Sequence, residues 1–95
     1  MKFTCKPIST RNKLAGVMTH QIVCELPGFF EAREWCWERW GPGCESEHWD
    51  NLLWHAGQQY PWCWDASKFQ GAALKNGKIY TSTEAQMMEF VLRWS

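Results

Sequence analysis

The chain has 95 residues, of which 45% are apolar and 21% charged, and its formal net charge is zero. A single domain of this size buries about 60–70% of its unfolded surface, which leaves little room for an enclosed active site or cofactor. The apolar share excludes a disordered chain, the absence of an apolar run near 18 residues excludes a membrane-spanning helix, and the charge balance lacks the basic excess usual in nucleic-acid binders.

Lys2-Phe3-Thr4-Cys5-Lys6 alternates polar and apolar residues, the period of a half-buried strand. The same six-residue start, from Met1, lacks the apolar stretch of a secretory signal, so a cytoplasmic protein is expected. Thr10 to Lys13 reads as a turn. From Met18 the alternation returns, with His20, Ile22, Cys24 and Leu26 on one face and Gln21, Val23 and Glu25 on the other. This second strand is expected to pair antiparallel with the first. His20, on the apolar face, reads as a hydrogen-bonded, partly buried histidine.

Pro27-Gly28 ends the strand, and Gly28 is an acceptable N-cap for a helix over Phe29 to Trp40. Phe29, Ala32, Cys36 and Trp40 form its apolar stripe, with Glu31, Glu34 and Glu38 largely off it. Gly41-Pro42-Gly43 stops the helix. Residues 41–59 read as an insert-like loop, in which Ser46 is placed to cap a short helix over His48–Ala56. Tyr60 to Asp65 reads as a strand with Pro61 at its start, where a missing N–H does least harm. Asn76-Gly77 predicts a type I′ hairpin between Ala72–Lys75 and Lys78–Ser82. Thr83 with Gln86 three residues on is a capping-box arrangement that opens a helix over Glu84–Trp94, with Ala85, Met88 and Leu92 on one stripe and Met87, Val91 and Trp94 on the next. The expectation is one α+β domain over residues 1–95, in the order β-β-α-β-β-α. Its sheet is mostly antiparallel, and both helices pack on one face.

The charges are segregated. Residues 1–24 carry Lys2, Lys6, Arg11 and Lys13 and no acid, whereas residues 25–50 carry seven acids against Arg33 and Arg39. Seven of the eight tryptophans fall between Trp35 and Trp64. Trp40, Trp94 and one of Trp62 and Trp64 are expected in the core. A domain this small does not easily enclose the rest, so an exposed aromatic patch is expected, and tryptophan is a favoured interface anchor. Trp35, Trp37, Glu45, Glu47, Trp49, Asp50 and Trp54 are therefore the candidate partner-binding residues. The aromatics would anchor the contact and the acids would steer it towards a basic protein surface. A symmetric homodimer that buries these tryptophans is the alternative occupant.

The five cysteines are odd in number and lack any C-x-x-C, so reduced thiols acting as small buried apolar groups are expected. No cofactor is expected. The sharper alternative is a zinc site from Cys36, Cys44, His48 and Cys63, in which Cys44-x-x-x-His48 presents two ligands one helical turn apart. Catalysis has less support. Cys44 or Cys63 with His48 or His55 makes a nucleophile pair only on paper, and there is neither a phosphate-binding glycine loop nor a nucleophile elbow. A ligand-sequestering domain or enzyme with a tryptophan-lined pocket is the third reading.

The strand KIYTS entering the helix TEAQMMEFVLRW, preceded by the helix AREWCWERWGPG, resembles small uncharacterised proteins of tailed bacteriophages that end in a strand–helix unit closing on Leu-Arg-Trp. The similarity covers residues 25–40 and 60–95. It implies an intracellular phage protein aimed at a host or host-defence protein, and it transfers no functional residue.

Overall fold

A computed structural model describes residues 1–12, 14–45, 60–66 and 76–95. Its elements run β1 (Phe3–Pro7), β2 (His20–Glu25), α1 (Gly28–Trp40), β3 (Cys44–Glu45), β4 (Trp62–Asp65), β5 (Asn76–Thr81) and α2 (Glu84–Trp94). The five strands form one sheet in the order β1-β2-β5-β4-β3, antiparallel throughout except for the β3–β4 pair. This is the expected α+β class with one unexpected strand, β3, while the strand expected over Ala72–Lys75 lies outside the described residues. β3 lies within the segment read as an insert-like loop, and it forms the sheet edge opposite β1. The short helix expected over residues 48–56 lies outside the described residues.

Register assigns every strand residue to a side, because directly opposed residues share a face. Phe3–Cys24–Gly77, Cys5–Ile22–Ile79–Trp64–Glu45 and Pro7–His20–Thr81–Trp62 are rows on the side that carries the helices. Lys6–Gln21–Tyr80–Cys63–Cys44 and Thr4–Val23–Lys78–Asp65 are rows on the opposite side. On the helix side, Ile22, Cys24, Ile79 and Trp62 meet Phe29, Ala32 and Cys36 of α1 and Phe90 of α2 in one buried cluster. On the other side, Leu14 and Met18 from the β1–β2 connection cover Cys44, Cys63 and Tyr80.

The α1 stripe buries as its spacing predicts, with Phe29, Ala32 and Cys36 fully enclosed. Its cap differs. Pro27 is the N-cap, without a side-chain hydrogen bond, and Gly28 is already helical. Gly41 ends the helix at φ +88°, where its N–H donates to the Trp37 carbonyl at 2.9 Å. In α2, Met87, Phe90, Val91 and Trp94 turn towards the sheet while Ala85, Met88 and Leu92 face outward, Leu92 being 82% exposed. Thr83 Oγ1 accepts the Gln86 N–H at 3.2 Å as expected, but the Gln86 side chain accepts from the Ser82 N–H at 2.9 Å, one residue earlier than a capping box requires.

The hairpin expected at Asn76-Gly77 is not formed. Both residues lie inside β5, opposite Glu25 and Cys24 of β2. A Cβ at Gly77 would stand 2.2 Å from Cγ of Phe29. The glycine is needed so that the Phe29 ring can rest against the strand, and this packing overrides the local turn preference.

Candidate functional site

α1 positions the candidate surface. Its inward stripe fixes the helix on the sheet, which turns Phe30, Arg33, Glu34 and Trp37 to the side facing β4. Phe30 and Trp37 are 42% and 48% exposed, unusual for large aromatics on a chain of this size. The Arg33 guanidinium carbon lies 4.5 Å from the centre of the Trp64 ring and 5.5 Å from that of Phe30. At those distances the cation is attracted to both ring faces. Trp37 rests its edge against Trp62, with ring centres 6.4 Å apart at 89°.

Between these groups lies a cleft of about 320 Å³ lined by Arg33, Glu34, Trp37 and Trp64. The Trp64 indole N–H is buried and has no acceptor among the described residues. The cleft therefore offers two indole surfaces, a carboxylate and a guanidinium held in place by stacking. Along the same helix, Glu31, Glu34 and Glu38 are exposed, and Arg39 is engaged by Glu89 of α2 at 2.7 Å. The outer face of α1 is thus acidic around an aromatic centre. A larger, shallower groove of about 580 Å³ runs past Lys2, Thr4, Val23, Glu25 and Asn76 at one end of the sheet; its lining is mostly polar and gathers no such cluster.

The structure divides the residues singled out from the sequence. Trp37 lies on the exposed face. Trp35 is half-buried, set edge-on against Trp40 at 5.4 Å, Phe90 at 6.1 Å and Trp94 at 6.3 Å. It packs against the core, so an exposed position for it is corrected. Glu45 is half-buried in β3, beside Trp64 in register and on the same side of the sheet. Glu47, Trp49, Asp50 and Trp54 lie outside the described residues, as do His48 and His55. Trp62 is the fully buried member of its pair, and its indole N–H donates to the Gly41 carbonyl at 2.8 Å. His20 is half-buried with Nδ1 3.0 Å from the Thr19 hydroxyl, in line with its expected role. Sequence spacing alone left Phe30, Arg33 and Trp64 unmarked. Phe30, Arg33 and Trp37 at i, i+3 and i+7 carried a signal for one helix face, but nothing local showed that Trp64 would complete it.

The zinc set is corrected. Cys36 lies in the cluster under the helices, whereas Cys44 and Cys63 lie in the cluster on the other side of the sheet, so the three cannot share one ion. Among the described residues no group of three or more His, Cys, Asp or Glu side chains is gathered as for a metal. All five cysteines are thiols. Burial raises each of them, most strongly Cys24, to about 12, and Cys36 and Cys63, which lie higher still. Tyr80 is pushed up to about 12, by burial first and then by the charge of Asp65. Thiols held protonated in this way make poor nucleophiles.

No protein family, curated protein or solved structure matches the chain. Among the described residues, no helix is long and apolar enough to cross a membrane.

Proposed function

We propose that the protein is a binding protein and not an enzyme, and that it meets a basic surface of another protein through the outer face of α1. The observation that carries this reading is the cluster in which the exposed Phe30 and Trp37 flank the half-buried Arg33 and Trp64, beside the exposed Glu31, Glu34 and Glu38. Aromatic and arginine side chains anchor interfaces, and a surrounding acidic rim accelerates and selects the encounter with a positive partner. Arg33, held over Trp64, presents a guanidinium with little further ordering cost. With the resemblance of residues 25–40 and 60–95 to proteins of tailed phages, the proposed partner is a host or host-defence protein in the bacterial cytoplasm, which the protein inhibits.

The test is capture of the partner from host lysate by the tagged chain, followed by affinity measurement. Trp37→Ala is expected to weaken binding by about 2 kcal/mol, roughly 30-fold, with the fold intact. Lysine at both Glu34 and Glu38 is expected to slow association and reverse its salt dependence. Unchanged affinity in both variants overturns this surface. Charge reversal at Glu45 and Glu47 together with alanine at Trp49 and Trp54 tests the rest of the acidic, aromatic stretch. The cleft between Trp37 and Trp64 also favours a second reading, a site for a small planar ligand. In that case, tryptophan fluorescence changes on titration with nucleotides or sugars and is insensitive to charge reversal at Glu38.

A further inference from the structure

On the side of the sheet away from the helices, the parallel β3–β4 pairing sets Cys44 directly opposite Cys63. Both side chains are buried and both point into the cluster with Leu14, Met18 and Tyr80. The two thiols are near enough for each to influence the other's ionisation, and Cys44 Sγ donates to the Glu45 carbonyl at 3.4 Å. Opposed residues on neighbouring strands are about 4.7–4.9 Å apart, inside the roughly 4.4–6.8 Å separation of α-carbons that a disulfide accepts. The other thiols are placed less well. Cys5 is opposite Ile22 and Cys24 is opposite Phe3, which makes Cys5 and Cys24 diagonal neighbours, at a typical distance of about 7–8 Å. Cys36 is on α1, inside the helix-side cluster, where it reaches Cys24 from the helix across the sheet face and not from a paired strand.

We propose that Cys44 and Cys63 are a redox-active dithiol, which low-molecular-weight disulfides such as oxidised glutathione convert to an intramolecular disulfide. Entry is through β3, a two-residue strand at the sheet edge and so among the first pairings to open in a local fluctuation. The Cys44 thiolate attacks one sulfur of oxidised glutathione, forms a mixed disulfide and displaces one glutathione thiolate. The Cys63 thiolate then attacks the Cys44 sulfur, closes the protein disulfide and displaces the second. The two protons lost by the cysteines end on the two glutathiones, and the pair has given up two electrons to the oxidant. Since burial raises both thiols, closure is slow near neutral pH and accelerates as the pH rises. The bond joins the two ends of residues 45–62, the stretch that holds Glu45, Glu47, Trp49, Asp50 and Trp54, and the shorter span of the unfolded chain raises stability.

The test uses the native full chain, exposed to oxidised glutathione, alkylated, digested and mapped by mass spectrometry. The expected result is an intact mass lower by about 2 Da, a single linkage between the Cys44 and Cys63 peptides, faster closure at higher pH, and full reversal by dithiothreitol. Cys63→Ala, which cannot complete the second step, is expected to accumulate the mixed disulfide at Cys44. A linkage at any other pair, glutathione adducts that do not close in the unaltered chain, or five thiols left unmodified would each overturn the proposal.

Discussion

On the helix side of the sheet, Trp62 from β4 and Phe29 and Phe90 from the two helices are enclosed, with the helices' tryptophans Trp35, Trp40 and Trp94 packed around them. On the opposite side, Leu14, Met18 and Tyr80 are brought together by the irregular chain between β1 and β2, and the strands contribute two thiols to that cluster. The contrast explains how so many tryptophans fit. The space between the sheet and its helices holds the tryptophans and phenylalanines, while the loop crossing the other side encloses a single fully buried ring, Tyr80, among smaller or flexible groups. Trp37 and Trp64 lie where the helix layer ends, and there the aromatic surplus reaches solvent.

Cutting each cluster at its centre tests that contrast most severely. Trp62→Ala removes a fully buried ring and the hydrogen bond to Gly41, and is expected to cost about 3–5 kcal/mol in chemical denaturation; Leu14→Ala, on the other side, should cost about 2–3 kcal/mol. Equal losses would mean that the two sides are equally well packed. Gly77→Ala should cost about 1–3 kcal/mol, because the new methyl group meets the Phe29 ring. Gly28→Ala meets only the Met1 side chain, which can move, and should be close to neutral.

Alkali should act on both sides at once. Cys24 moves from an ordinary 9.0 to about 12 and Tyr80 from 10.0 to about 12, so the folded state holds protons that the unfolded chain releases. Their contribution is complete below about pH 9 and declines as the pH rises towards 12, so the thermal midpoint should fall steadily across that window. A flat midpoint would show that these groups are not protected from solvent. The smallest effect belongs to Arg39→Ala. Its ion pair with Glu89 is solvent-exposed on both sides, so the loss should stay below about 1 kcal/mol and shrink further in salt.

The sequence was most readable where one short stretch contained the whole signal. The α1 stripe, the Gly41 stop, the Thr83 cap and the alternation of β2 each rest on residues within one or two turns of one another. The Asn76-Gly77 turn failed because its competitor, the ring of Phe29, lies 48 positions away in the chain. β3 was missed because two residues carry no period. Trp37 was legible as a surface tryptophan from composition and helix geometry. Arg33 and Trp64 were not, since they become neighbours only when α1 settles on β4. Cys36 shared a plausible ligand set with Cys44 and Cys63 until the sheet came between them.

β1 lies at the edge of the sheet, and its residues constrain how the molecule can be approached. Pro7 has no amide hydrogen to offer an incoming strand, and Lys6 is a solvent-exposed charge that a stacked chain would have to accommodate. At the other edge, β3 is two residues long. Among the described residues, neither border is a good template for main-chain pairing, which recognises almost any extended peptide and invites aggregation. Under the proposed function, contact with a partner would then rest on side chains, whose selectivity can change one residue at a time without disturbing the strands beneath.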